Sequence, residues 1–191
     1  MNELIELDKK IFLFLNGLHT PLLDPVMYFL TDTFVWVPLY AFLIYLIFKK
    51  NKISGWYFLL GAAITIVLAN GITDLMKPFF ARFRPSHEPS LQGLIHHVNG
   101  YLGGKYGFAS GHAANTFGSA FFVWLTLKSF YPKIGWIFLW ASLMTYTRIY
   151  LGVHYPGDIL VGALVGLVCG WIGFKLAEQL TKRFAKQPAS F

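Results

Sequence analysis

The chain is 191 residues long, 55% apolar, 18% aromatic and only 13% charged, far more apolar than a soluble domain of this size. Its net charge of +7 comes mainly from lysines and arginines in short connections and one polar loop; without a continuous basic face, nucleic acid is not the expected partner. A single cysteine, Cys169, excludes an internal disulfide and reads as a small buried apolar residue.

Residues 1–24 come first in chain order. In MNELIELDKKIFLFL, Leu4, Leu7, Ile11 and Leu15 recur at helical spacing and Glu3, Glu6 and Lys10 fall elsewhere, so a helix lying in the membrane interface is expected. Acidic residues precede its lysines and no small-residue cleavage site follows, unlike a cleaved signal. The turn-forming NGLHTP at 16–21 ends this helix; a shallow span through residues 8–30 is the alternative. Apolar runs follow at 26–48, 54–76, 112–131, 134–151 and 158–177, each near the roughly twenty residues that cross about 30 Å of hydrocarbon. The expected fold is all-α, a polytopic transmembrane helical bundle of about five to six spans behind an N-terminal interfacial helix. No repeat or linker divides it, so residues 1–191 are read as one integral-membrane domain.

The lysines orient this bundle. Lys49, Lys50 and Lys52 follow the first run, Lys128 and Lys133 flank the third connection, and Lys182, Arg183 and Lys186 lie in the tail. With five spans these clusters share one face, which the positive-inside rule makes cytoplasmic. The opposite face carries residues 152–157 and the long polar connection 77–110, rich in proline and glycine and expected to be irregular. Lys77, Arg82, Arg84 and Lys105 lie on that face against the bias, which asks for another job. His87, His96 and His97 read there as ordinary solvated side chains, and Arg82 as a contact to lipid headgroups.

Three polar clusters at run ends share that face. In KPFFARFRP, Lys77 and Arg84 are seven apart, so a helix continuing that far projects both from one side. Two such cations repel unless an anion sits between them, and a phosphate fits, the guanidinium binding it bidentately. Asp74, three residues before Lys77, reads as its ion-pair partner. In ASGHAAN, Ser110 is a good N-cap, Gly111 lets backbone approach a ligand, and the free amides of this helix start favour an anion. His112 in the first turn is placed to protonate a departing alkoxide. In TRIYLGVHYPGD, Pro156 suits a first helical position, leaving His154 just outside and Asp158 in the first turn. Asp158 is then close enough to accept from one imidazole nitrogen, leaving the other as a nucleophile. Arg148 adds a third cation. Ionisable groups kept at membrane spans are functional candidates, and these supply what phosphoryl transfer needs.

The combined pattern, K-x6-RP, then SGH, then R-x5-H-x3-D, resembles the type 2 phosphatidic acid phosphatase superfamily over about residues 20–180. Ala109 stands where that family's second motif has proline, and Thr147 where its third has serine. The resemblance implies a catalytic set of His154 as nucleophile, Asp158 as its support and His112 as proton donor. Lys77, Arg84, Ser110, Gly111 and Arg148 would hold the phosphoryl group. It implies no metal and no cofactor, and three cations around a pocket would also repel a divalent ion; a metal site of His112, His154, Asp74 and Asp158 is the rival. It implies a lipid phosphate substrate entering from the bilayer, in a bacterial inner membrane with the pocket facing the periplasm or cell exterior. The substrates it suggests are undecaprenyl diphosphate, phosphatidylglycerol phosphate, phosphatidic acid or a lipid A phosphate, with the polyprenyl diphosphate leading. No obligate protein partner is expected. A non-enzymatic anion carrier and a lipid phosphotransferase are the other readings.

Overall fold

The computed structural model describes residues 2–184; Lys186 of the tail cluster lies outside them. The described residues form seven α-helices joined by turns and loops, with no strand. These are α1 (Asn2–Asn16), α2 (Leu23–Leu30), α3 (Val37–Asn51), α4 (Gly55–Phe80), α5 (Gly111–Leu127), α6 (Ile137–Tyr150) and α7 (Pro156–Phe184). Two helical stretches, Thr33–Phe80 and Pro156–Phe184, are long and apolar enough to cross a membrane by length and composition.

The apolar run expected at 26–48 is broken. Asp32 accepts from the Phe34 amide at 2.9 Å, a side-chain bond that competes with helix continuation. A 3-10 turn, Thr33–Trp36, follows, and Pro38 sits at the start of α3, where its missing N–H costs nothing. α4 overruns its expected end at residue 76 and closes at Phe80, where Ala81 takes a left-handed φ of 46° and its amide bonds the Lys77 carbonyl. The expected helical register between Lys77 and Arg84 therefore does not exist. Arg84 lies on extended chain that turns back through an isolated bridge between Phe83 and Tyr106.

The bundle centres on α7, packed against α5 and α4. Gly162, Gly166 and Gly170 recur every fourth residue on one face of α7, and a Cβ at each would run into the carbonyl oxygens of Ser110, Ala114 and Gly118 respectively. Gly61 and Gly173 do the same between α4 and α7. In lipid, helices associate by close packing and not by hydrophobic transfer, so small residues decide which faces meet. Asp158 is one turn above Gly162 on this same face, so the glycine seam delivers it, wholly buried, against the start of α5. Cys169 is buried in the same region.

At the other end, the Lys50 ammonium lies over the Phe130 and Tyr131 rings at 5.5 and 5.2 Å, and Tyr57 stacks on Phe184. The lysine-bearing connections thus gather at the end opposite the polar clusters.

α1 packs a face other than its leucine stripe against the bundle. Leu4, Leu7 and Ile11 are exposed, whereas Phe12 and Asn16 are buried and Asp8 points toward α7. Asn16 Nδ2 donates to the carbonyls of Ile149, Tyr150 and His96, and its Oδ1 accepts from the His96 amide. It thereby supplies donors to two carbonyls in the last turn of α6. His96 is also not free in solvent: it stacks on His19 at 3.7 Å and its Nε2 lies 2.9 Å from Asp24 Oδ1. The N-terminal segment covers this part of the loop and supplies those partners.

Candidate active site

Four helix ends, the C-termini of α4 and α6 and the N-termini of α5 and α7, meet beneath the loop 81–110. Ser110 caps α5, its Oγ accepting from the Ala113 amide at 3.4 Å, and its own amide donates to the Asp158 carbonyl at 3.0 Å. Pro156 opens α7, where it has no N–H to leave unpaired. Its preceding residues, Leu151–Tyr155, form the turn that carries His154, which is 1% exposed.

The His154 ring is held from both sides. Its Nδ1 is 3.3 Å from Asp158 Oδ2 and its Nε2 is 3.0 Å from Arg84 Nη1. A guanidinium can only donate, so Nε2 is the lone-pair nitrogen and Nδ1 carries the proton given to Asp158. Burial, followed by the charges of Arg84, Arg148 and Lys77, holds the imidazole well below its usual pKa range. The site therefore favours the neutral form of His154, with its lone pair on Nε2.

Arg84 is fixed by further donations to the Tyr106 and Val153 carbonyls. Gly107 is needed at this crossing: a Cβ there would lie 3.0 Å from Arg84 Cγ, 3.1 Å from Asp158 Oδ2 and 3.4 Å from His154 Nδ1. Lys77 pairs with Asp74 at 2.7 Å and lies near Gly111, 3.9 Å from where a Cβ on that glycine would be. Gly111 also faces Thr73 Oγ1. His112 sits in the first turn of α5, in the neighbourhood of Arg148, His154, Arg84 and Lys77. Arg148 is 2% exposed; its Nη1 donates to Thr31 and its Nη2 to the Tyr101 hydroxyl, while its Nε has no partner. The Thr147 hydroxyl donates to the Met144 carbonyl at 2.7 Å, and its oxygen lies 3.1 Å from the Thr31 hydroxyl.

The eight residues singled out from sequence thus gather around the same helix ends, although they come from stretches as far apart as 77 and 158. Asp74 is turned to Lys77 and Asp158 to Arg82, and among the described residues no three His, Cys, Asp or Glu side chains converge as metal ligands would.

Sequence reasoning missed two contributors. Arg82, read as a headgroup contact, donates Nη1 to Asp158 Oδ1 at 2.8 Å and Nη2 to Asp8 Oδ2 at 2.7 Å. Asp8 also accepts from the Gly157 amide at 2.8 Å. The only signal was charge against the expected bias for Arg82, and a carboxylate inside an otherwise interfacial helix for Asp8.

The chain has relatives. A lipid A 4'-phosphatase from Bacteroides thetaiotaomicron is 39% identical over 184 residues, covering 94% of this chain and 81% of that protein. An undecaprenyl-diphosphatase from Sulfolobus acidocaldarius is 32% identical, covering 86% of this chain and 74% of that protein. The crystal structure of Aquifex aeolicus LpxE superposes with a TM-score of 0.69 at 31% identity, over 88% of this chain and 95% of that one. The PAP2 superfamily model matches residues 56–182, a stretch that contains Lys77, Arg84, Ser110, His112, Arg148, His154 and Asp158, and the chain belongs to that superfamily.

Proposed function

We propose that the protein is a membrane-embedded lipid phosphatase working through a phosphohistidine, and that a lipid A-type phosphomonoester is its substrate. The observation that carries the reaction is the His154 ring, whose protonated Nδ1 faces Asp158 and whose Nε2 lone pair faces the Arg84 guanidinium. A phosphoryl oxygen taking over the Arg84 donor sets phosphorus against Nε2. Lys77, Arg148, Ser110 and the Gly111 amide hold the other oxygens, where charge gathers in the transition state. Nε2 attacks phosphorus, the bond to the lipid oxygen breaks, and His112, protonated once the bound phosphate anion offsets the cations around it, gives its proton to that oxygen. His112, now neutral, takes a proton from water as the water attacks the phosphohistidine. Phosphate leaves and His154 returns to its starting tautomer with Asp158 still bonded.

The relative at 39% identity favours a lipid A phosphate over the polyprenyl diphosphate that the family resemblance puts first. Undecaprenyl diphosphate is the second reading, supported by the relative at 32%. The membrane arrangement we propose has five spans: α3 with its preceding turn, α4, α5, α6 with its preceding turn, and α7. The lysine-rich end faces the cytoplasm of a bacterial inner membrane and the site faces outward. The exposed stripe of Leu4, Leu7 and Ile11 on α1 lies in the interface beside it.

The test is phosphate release by the purified protein from lipid A, undecaprenyl diphosphate, phosphatidylglycerol phosphate and phosphatidic acid, in excess chelator, alongside His154→Ala. The expected result is fastest release from lipid A and none from the variant. A His154→Ala protein as fast as the parent refutes the nucleophile assignment, and loss of release in chelator refutes the metal-free chemistry.

A further inference from the structure

Asp158 is wholly buried, and a carboxylate there is stable as an anion only with charged and hydrogen-bonded partners. It has three: the Tyr155 amide at 3.0 Å, His154 Nδ1, and Arg82 Nη1 at 2.8 Å. Among the described residues Arg82 is the only cation bonded to it, and Arg82 is itself oriented from outside the helices that build the site. Its second arm reaches Asp8 on α1, and its guanidinium lies 4.1 Å from the centre of the Tyr155 ring. The other oxygen of Asp8 takes the Gly157 amide, one of the unpaired N–H groups of the first turn of α7. Asp8 therefore does for α7, from another helix, what an N-cap side chain does locally.

From this chain of contacts we infer that Asp8 and Arg82 are positioning residues for the His154–Asp158 pair. Asp8 fixes the Arg82 fork, the fork fixes the Asp158 carboxylate, and the carboxylate sets the tautomer and aim of His154. Neither Asp8 nor Arg82 touches the phosphoryl group. The inference rests on the phosphatase reading above, since it assigns roles within that reaction. It also gives α1 a task beyond lying in the interface. The helix turns Leu4, Leu7 and Ile11 outward and brings one carboxylate to the back of the catalytic pair.

A positioning role separates from a structural one by where the loss falls. Asp8→Asn keeps an acceptor for the Gly157 amide and removes the charge that faces Arg82. Arg82→Lys keeps a cation that cannot fork to both carboxylates. Each is measured for kcat and KM on the best lipid substrate in detergent, with thermal unfolding as the folding control. Each variant is expected to lose about 10-fold in kcat, the order of effect of a sub-ångström misplacement of a reacting group, with KM within about twofold. The double variant is expected to be no worse than Arg82→Lys alone, because both act through one path. Losses that fall on KM, that multiply in the double variant, or that only follow a lowered unfolding temperature overturn the inference. Parent-like kcat in both variants overturns it while leaving the phosphatase reading intact, and a parent that releases no phosphate from any lipid overturns both.

Discussion

Replacing Asp158 by asparagine changes one atom type and almost no volume, so it tests the electrostatics of the site without opening a cavity. The carboxylate accepts on both oxygens: Oδ1 from Arg82 and Oδ2 from the Tyr155 amide and His154. An asparagine has one oxygen. If that oxygen takes the Oδ2 place, the new NH2 faces the Arg82 donor and a charge-assisted bond becomes a donor–donor contact. If it takes the Oδ1 place, the NH2 faces Nδ1, and the imidazole moves its proton to Nε2. That proton then points at the Arg84 donor, and no lone pair is left for phosphorus. Either rotamer loses at least one charge-assisted bond, about 1.5–3 kcal/mol, and adds repulsion, so a barrier rise of about 3–4 kcal/mol is expected. At 1.36 kcal/mol per decade this is a fall of roughly 10²–10³ in kcat. Single-turnover phosphate release on the best lipid substrate measures it, with unfolding temperature as control. An Asp158→Asn protein that keeps more than about a third of the parent rate, while His154→Ala has none, refutes the tautomer argument.

Two further outcomes follow from the structure. His154 has its pKa depressed by burial and by neighbouring cations, so below the ordinary value of about 6.5 the unfolded chain binds a proton that the folded one does not. The stability this contributes is full above about pH 6.5 and is lost as pH falls toward the depressed folded value. The acid limb of kcat/KM that reports His154 is expected below the ordinary histidine range, and a limb near or above that range contradicts the proposal that a neutral, buried His154 is the nucleophile. Gly166→Val puts a branched side chain where a Cβ already overlaps the Ala114 carbonyl. The expected destabilisation is about 1–3 kcal/mol, seen as an unfolding temperature lower by about 2–4 °C per kcal/mol together with reduced activity. An unchanged unfolding temperature contradicts the account of α7 packing.

Arg84 and Arg82 show the boundary between what the chain says locally and what it does not. The K-x6-R spacing suggested a shared helix face, yet α4 stops at Phe80 and Arg84 reaches His154 only because the chain folds back against Tyr106. Arg82 looked like one more cation at a membrane surface. Its partners, Asp158 and Asp8, are 76 and 74 residues away, a distance at which no periodicity carries information. The solvated reading of His96 failed for the same reason, since its partners Asn16 and Asp24 lie 80 and 72 residues away.

The amino-acid order alone determined the features whose physics is local. Apolar runs made the helices, Ser110 could cap α5, Pro156 could open α7 without losing an N–H, and four-residue spacing placed Asp158 beneath His154. Tertiary structure alone decided which nitrogen of His154 is bare, which partners each oxygen of Asp158 takes, and that a carboxylate from the first helix reaches the last. Those depend on backbone-to-backbone contact along the glycine seam and on hydrogen bonds whose two ends have no common sequence neighbourhood. Only the assembled bundle brings them within 3 Å or so of one another.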